Sequence, residues 1–227
     1  MAGEAPVPRW ALVVGGRLDD PARAEAWRAL GEAFRPPVVA ALRERFEGRR
    51  PVEDLATAFF AFLRSIRPEP GDRRLLPHLA RLLRVFLHDL HNGRIGVSAA
   101  RLTPAGKAEE RAALRSGSDA FAAAPPDAAF LSRWTECLLH AALRRLRATH
   151  PEFHGLLLRF HDRRPEAGPA SPDETARRLG LAREALAARF REEMAHTLAA
   201  GASLDAECAL LRPHTGGLLG PTTAARA

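Results

Sequence analysis

The chain has 227 residues, 46% of them hydrophobic and 27% charged, enough for one or two compact domains with real cores and unlike a disordered chain. A formal net charge of +7 admits an acidic partner, but Lys107 is the single lysine among 34 basic residues and tyrosine is absent. That arginine bias is also what GC-rich coding produces, so charge alone does not establish nucleic-acid contact.

Only two cysteines, Cys137 and Cys208, are present, each in an apolar helical pattern. They read as two reduced structural thiols rather than a secreted disulfide framework. No segment reaches the length of a membrane span, and the short apolar run in MAGEAPVPRWALVVGG has no basic stretch before it, which argues against a signal peptide. The expectation is a cytoplasmic protein with no membrane partner.

Apolar residues recur at helical spacing along most of the chain, with no convincing strand alternation. After a short N-terminal helix, a helix over about 20–34 begins behind Asp19 and Asp20 with Pro21 early in it. A second runs from Pro36 to about Phe46, stopped by Gly48. A third covers Val52 to Ile66, closed by Pro68 and Pro70, with Val52, Leu55, Phe59, Phe62, Leu63 and Ile66 as one stripe. A fourth spans about Leu75 to Leu90 and ends at Asn92-Gly93. Residues 96–128, rich in small residues, Gly and Pro, read as a linker. Helical pattern resumes over about 129–149 and 151–162, and residues 213–227 read as a frayed tail.

The stretch from Ser171 reads as a helix-turn-helix. Ser171 and Glu174 form an S-x-x-E capping box with Pro172 at the first helical position. Ala176 and Gly180 supply a small contact residue and a turn, and Leu179, Leu181 and Leu186 the contacts that fix the crossing. The exposed face of the second helix offers Arg183, Arg189 and Arg191, interrupted by Glu184, Glu192 and Glu193, whose carboxylates repel phosphates.

Several further clusters point to no chemistry. Pro151 places His150 at a helix cap rather than one turn from His154 within a helix, and H-x-E-x-H is not the zinc-protease order. His88 and His91, near Asp89, read as solvated histidines at a helix end, and GGRLDD (15–20) is too short for a phosphate loop. The expectation is no enzyme, no catalytic residues, no metal, no cofactor and no small-molecule substrate.

In order along the chain, PRWALVVGG (8–16), DDPARAEAWRALGEAFRPPVVAALR (19–43), VEDLATAFFAFL (52–63), FLSRWTECLLHAALRRLR (130–147) and REEMAHTLAAGASLDAECALLR (191–212) stand together. This ordered set resembles the extracytoplasmic-function (ECF) group of sigma-70 family RNA polymerase sigma factors, in its planctomycete-type variant. The resemblance implies an all-α fold of two helical modules. A region 2-like bundle over 8–95 would dock on core polymerase and meet the minus-ten element. A region 4-like module over 129–212 would read the minus-thirty-five element.

The implied partners are bacterial RNA polymerase core, promoter DNA and an anti-sigma factor. Glu53, Asp54, Phe59 and Phe60 match the polymerase-docking helix, while Arg177, Arg178, Arg183, Arg189 and Arg191 would carry DNA contact. The chain departs from the family pattern at three places. Ala56 and Thr57 replace a polar pair. Leu75, Leu76 and His78 stand where aromatic and basic residues are usual. The second helix is shorter by about eleven residues, roughly three turns. Two readings follow: a factor directing transcription initiation, or a degenerate homologue acting as a regulatory or interaction module without promoter recognition. A helical scaffold unrelated to transcription is the third.

Overall fold

The structure, a computed structural model, describes residues 7–17, 19–46, 51–66, 68–69, 71–91, 126–162 and 171–219. Among them the chain is all-α: helices and turns, one isolated bridge and no strand. It divides into two compact units. The first takes the described part of Met1–Arg133 with Thr197–Ala202, and the second takes Trp134–His196 with the described residues from Ser203 on. The expected linker falls outside the described residues apart from 126–128.

The first unit contains α1 (Arg9–Gly15), α2 (Pro21–Phe46), α3 (Val52–Ser65) and α4 (Leu75–His91). Two helices were expected over 20–46, separated before Pro36, but α2 runs straight through with Pro36 and Pro37 inside it. Each proline removes a donor to the carbonyl four residues back, which normally breaks or kinks a helix. Burial on both sides of the interruption outweighs that loss. Phe34, Val38 and Leu42, at four-residue spacing across the prolines, are all buried, so one stripe anchors both halves to the core.

The expected stripe of α3 is largely realised. Leu55, Phe59, Phe62 and Leu63 are buried, Val52 and Ile66 are half-buried, and Ala56 and Phe60 join the interior. Phe86 of α4 fills the space between Phe59 and Phe62, with ring centroids at 5.4 and 5.8 Å. Trp10 of α1 packs edge-on against Trp27 of α2 at 5.8 Å. Such offset aromatic pairs add about 0.5–1.5 kcal/mol each beyond their buried area.

Thr197–Ala202 completes this unit. Leu75 N–H donates to the Thr197 carbonyl (2.9 Å) and Ala199 N–H to the Arg73 carbonyl (2.8 Å), an antiparallel bridge that buries Thr197 and Leu198. Gly201 turns the chain away at φ +78°, a conformation that favours glycine.

The second unit contains the greater part of α5 (Ala128–Thr149), then α6 (Pro151–His161), α7 (Pro172–Ala195) and α8 (Leu204–Leu211), followed by a 3-10 turn over Arg212–His214. Trp134, Leu138, Ala142 and Leu146 form one buried stripe on α5, and Ala182, Leu186, Phe190 and Met194 form another on α7. Both repeat every four residues, the spacing that keeps side chains on one helix face. His150 stands at the N-cap of α6, as Pro151 dictates. Cys137 and Cys208 are not joined in a disulfide.

Two expectations are corrected here. Gly180 makes no turn: α7 is continuous over 24 residues, so the expected helix-turn-helix within 171–198 is one helix. The glycine serves no crossing, because a Cβ at Gly180 would meet nothing within 4 Å and Ala176 is exposed. Leu181 is also exposed, at 43%, and of the three leucines expected at the crossing only Leu186 is buried. A single interior glycine costs about 1 kcal/mol against alanine, too little to break a helix held by four buried residues. The second correction concerns the tail. Residues 213–219 are ordered by turns, with Gly216 and Gly217 at positive φ, and Leu219 is buried. Residues 220–227 lie outside the described part.

Candidate functional site

The first candidate surface is the N-terminal turn of α3. Glu53 and Asp54 stand in that turn, both exposed, where the helix dipole favours carboxylates. Glu53 Oε2 lies 2.9 Å from Arg35 Nη2 on α2. The same Nη2 reaches the Thr57 hydroxyl at 3.2 Å, and that hydroxyl donates to the Glu53 carbonyl at 2.8 Å. Thr57 therefore helps to seat Arg35. The pair is largely solvated, and exposed ion pairs are worth about 0–1 kcal/mol. Its consequence is orientation: Glu53 is held toward α2, while Asp54 has no partner among the described residues.

Phe59 and Phe60 do not belong to that surface. Phe59 is fully buried and Phe60 only 8% exposed, their rings 5.6 Å apart. They set the position of α3 from inside the core.

The second candidate is α4, expected to meet the minus-ten element. Leu75 and Leu76 are fully buried and His78 is 2% exposed, so none offers a face to a base. Phe86 is also core. Base stacking needs exposed aromatic rings, and among its described side chains α4 offers only the half-exposed His88 imidazole. Arg94, the remaining cation expected at the end of this helix, lies outside the described residues.

A polar knot pins α4 instead. His78 Nδ1 lies 2.9 Å from Asp72 Oδ2, Arg81 Nη2 reaches both Asp72 oxygens at 3.3 Å, and the Glu69 N–H donates to Oδ2 at 2.9 Å. Trp10 Nε1 donates to the Asp72 carbonyl at 2.8 Å. Burial pushes the Asp72 carboxyl upward, but the His78 hydrogen bond and charge, the Glu69 amide and Arg81 outweigh it, so its pKa is lowered.

The third candidate is α7. At about 100° per residue, Arg178, Arg183, Arg189 and Arg191 lie roughly 100°, 240°, 120° and 320° around the axis from Arg177. No single face collects them. Arg178 and Arg189 are closest in angle, roughly 20° apart, but about 16 Å apart along the helix.

Most of these arginines are also engaged internally. Arg177 donates to Glu174 at 2.8 and 2.9 Å, and Arg189 to Glu192 at 2.7 and 2.9 Å. The Arg183 guanidinium sits over the Phe160 ring, 5.4 Å from its centroid. Burial raises the pKa of the Cys208 thiol against the opposing pull of the nearby Arg191. Arg178 is half-buried. Glu192 and Glu193 are themselves held by Arg145 of α5, at 3.5 and 3.2 Å. The Ser171 cap forms as expected, its hydroxyl accepting from the Glu174 N–H at 3.2 Å. The Glu174 carboxylate, however, binds Arg177.

Among the described residues no group of three His, Cys, Asp or Glu side chains is placed to hold a metal ion. No described helix is long and apolar enough to cross a membrane. No family model, curated protein or solved structure matches this chain. Sequence reasoning missed Arg35 and Trp27, each of which acts on residues distant in the chain and has no local signature.

Proposed function

We propose that this chain is a sigma-factor-like helical protein that docks on bacterial RNA polymerase core through the α3 turn and does not read promoters itself. One observation favours this over promoter-directed initiation: the arginines of α7 are dispersed around a continuous helix, and most are committed to neighbouring side chains. A reading helix must aim several side chains into one groove, and phosphate contact requires cations unpaired from carboxylates. Meanwhile Glu53 and Asp54 remain exposed on a helix whose own core is fully formed.

Initiation by the chain itself is the second reading, favoured by the net charge of +7 and the exposure of Arg177 and Arg191. Two measurements separate them. Pull-down with purified core polymerase tests docking, and an absence of binding would sink both. Run-off transcription with the reconstituted holoenzyme tests reading: defined start sites would establish the second reading, and none would leave the first.

A further inference from the structure

A groove of about 380 Å³ between α2 and α3 has the composition of a ligand site that polymerase docking does not use. Its apolar part is Trp27, Gly31, Phe60 and Leu63. Gly31 keeps it open, since the nearest atoms to a Cβ there belong to the Phe60 ring, at 3.6 and 3.8 Å. Any larger side chain at position 31 would enter the space above that ring.

The polar part is strongly cationic: Arg23, Arg28, Arg35 and Arg64 face a single acid, Glu32. Arg28 is neutralised by Glu25 and Glu32, and Arg35 by Glu53. Arg64 is different. Its Nε donates to the Phe60 carbonyl at 3.3 Å, and its terminal amino groups have no acceptor among the described residues. Trp27 closes the groove with its ring: the residue is 6% exposed, and its indole Nε1 lies beneath the surface.

We infer that this groove binds a small planar aromatic carboxylate, its ring over Gly31, Phe60 and Trp27 and its carboxylate on Arg64. An apolar floor with a few convergent donors is the usual build of a small-molecule pocket, and arginine's planar fork matches a carboxylate.

The test uses 2-naphthoate as probe and the indole N–H cross-peaks of the 15N-labelled full chain as readout. The Trp27 peak is the one lost in Trp27→Phe. Addition of 2-naphthoate should shift it saturably, and neutral 2-naphthalenemethanol should bind at least about tenfold more weakly. Arg64→Gln, at an exposed position, should weaken 2-naphthoate about tenfold. Gly31→Leu, which fills the groove and favours helix, should abolish the shift while the circular dichroism spectrum is unchanged. The proposal is overturned if 2-naphthoate at millimolar concentration leaves the Trp27 peak in place. It is equally overturned if the neutral alcohol binds as well, or if Arg64→Gln and a folded Gly31→Leu retain full affinity.

Discussion

Asp72 shows how one residue can decide the behaviour of a helix. Its side chain accepts from the Glu69 amide and from Arg81 and pairs with His78, while its carbonyl takes the Trp10 indole, so it joins α1 to the start of α4. Its folded pKa is lowered, so its contribution is complete above the unfolded carboxylate value of about 4 and is lost as pH falls through the folded value. Asp72→Asn should therefore destabilise the protein by about 1–3 kcal/mol at neutral pH, with the deficit shrinking as pH drops below about 4. Urea midpoints of both proteins at pH 7 and pH 3 measure this; a gap of equal size at both would show that the carboxylate charge is not involved. Glu53 and Asp54 carry the opposite kind of prediction, since both are exposed. The double variant Glu53→Lys, Asp54→Lys should lose core polymerase binding by about tenfold or more while its melting temperature moves little. Unchanged binding in pull-down would remove the α3 turn as the docking surface.

At the scale of the element, α2 and α7 show tertiary burial overriding local punctuation. Pro36-Pro37 and Gly180 are the strongest break signals inside their segments, yet α2 runs through because its buried stripe continues on either side, and α7 runs through because one glycine costs little against the buried stripe that follows it. Gly180→Ala distinguishes the two geometries directly. In a continuous helix with open space at the Cβ, it should stabilise by about 0.5–1 kcal/mol; in a turn with positive φ it would destabilise. Thermal or urea unfolding reads the sign. Phe190→Ala, by contrast, removes a fully buried ring from the α7 stripe and should cost about 3–5 kcal/mol. The boundaries of α3, α5 and α6 were legible from sequence to within a residue or so. All three have a proline at or near their start or end, and α3 and α5 each have a single buried stripe, so local and tertiary preferences agree there.

For the whole molecule, a net charge of +7 still attracts a polyanion, and the proposed function predicts how. Binding to duplex DNA should be weak, insensitive to sequence and lost steeply as salt rises, because it would rest on phosphate attraction alone. Fluorescence anisotropy with several unrelated duplexes across a salt series measures this, and a strong preference for one duplex at physiological salt would restore promoter reading.

What the sequence determined by itself was the all-α class, most helix positions, the Ser171 cap and the acidic turn at Glu53-Asp54. These depend on spacing within about one helical turn, which is written directly in residue order. The tertiary structure alone decided that α2 and α7 are unbroken, that Phe60 and His78 point inward, and that Thr197–Ala202 pairs with Arg73–Leu75. It alone paired the α7 arginines across helix turns and enclosed the groove around Trp27. Each of those depends on which surfaces meet after folding, and burial there outweighs local preferences of about 1–3 kcal/mol.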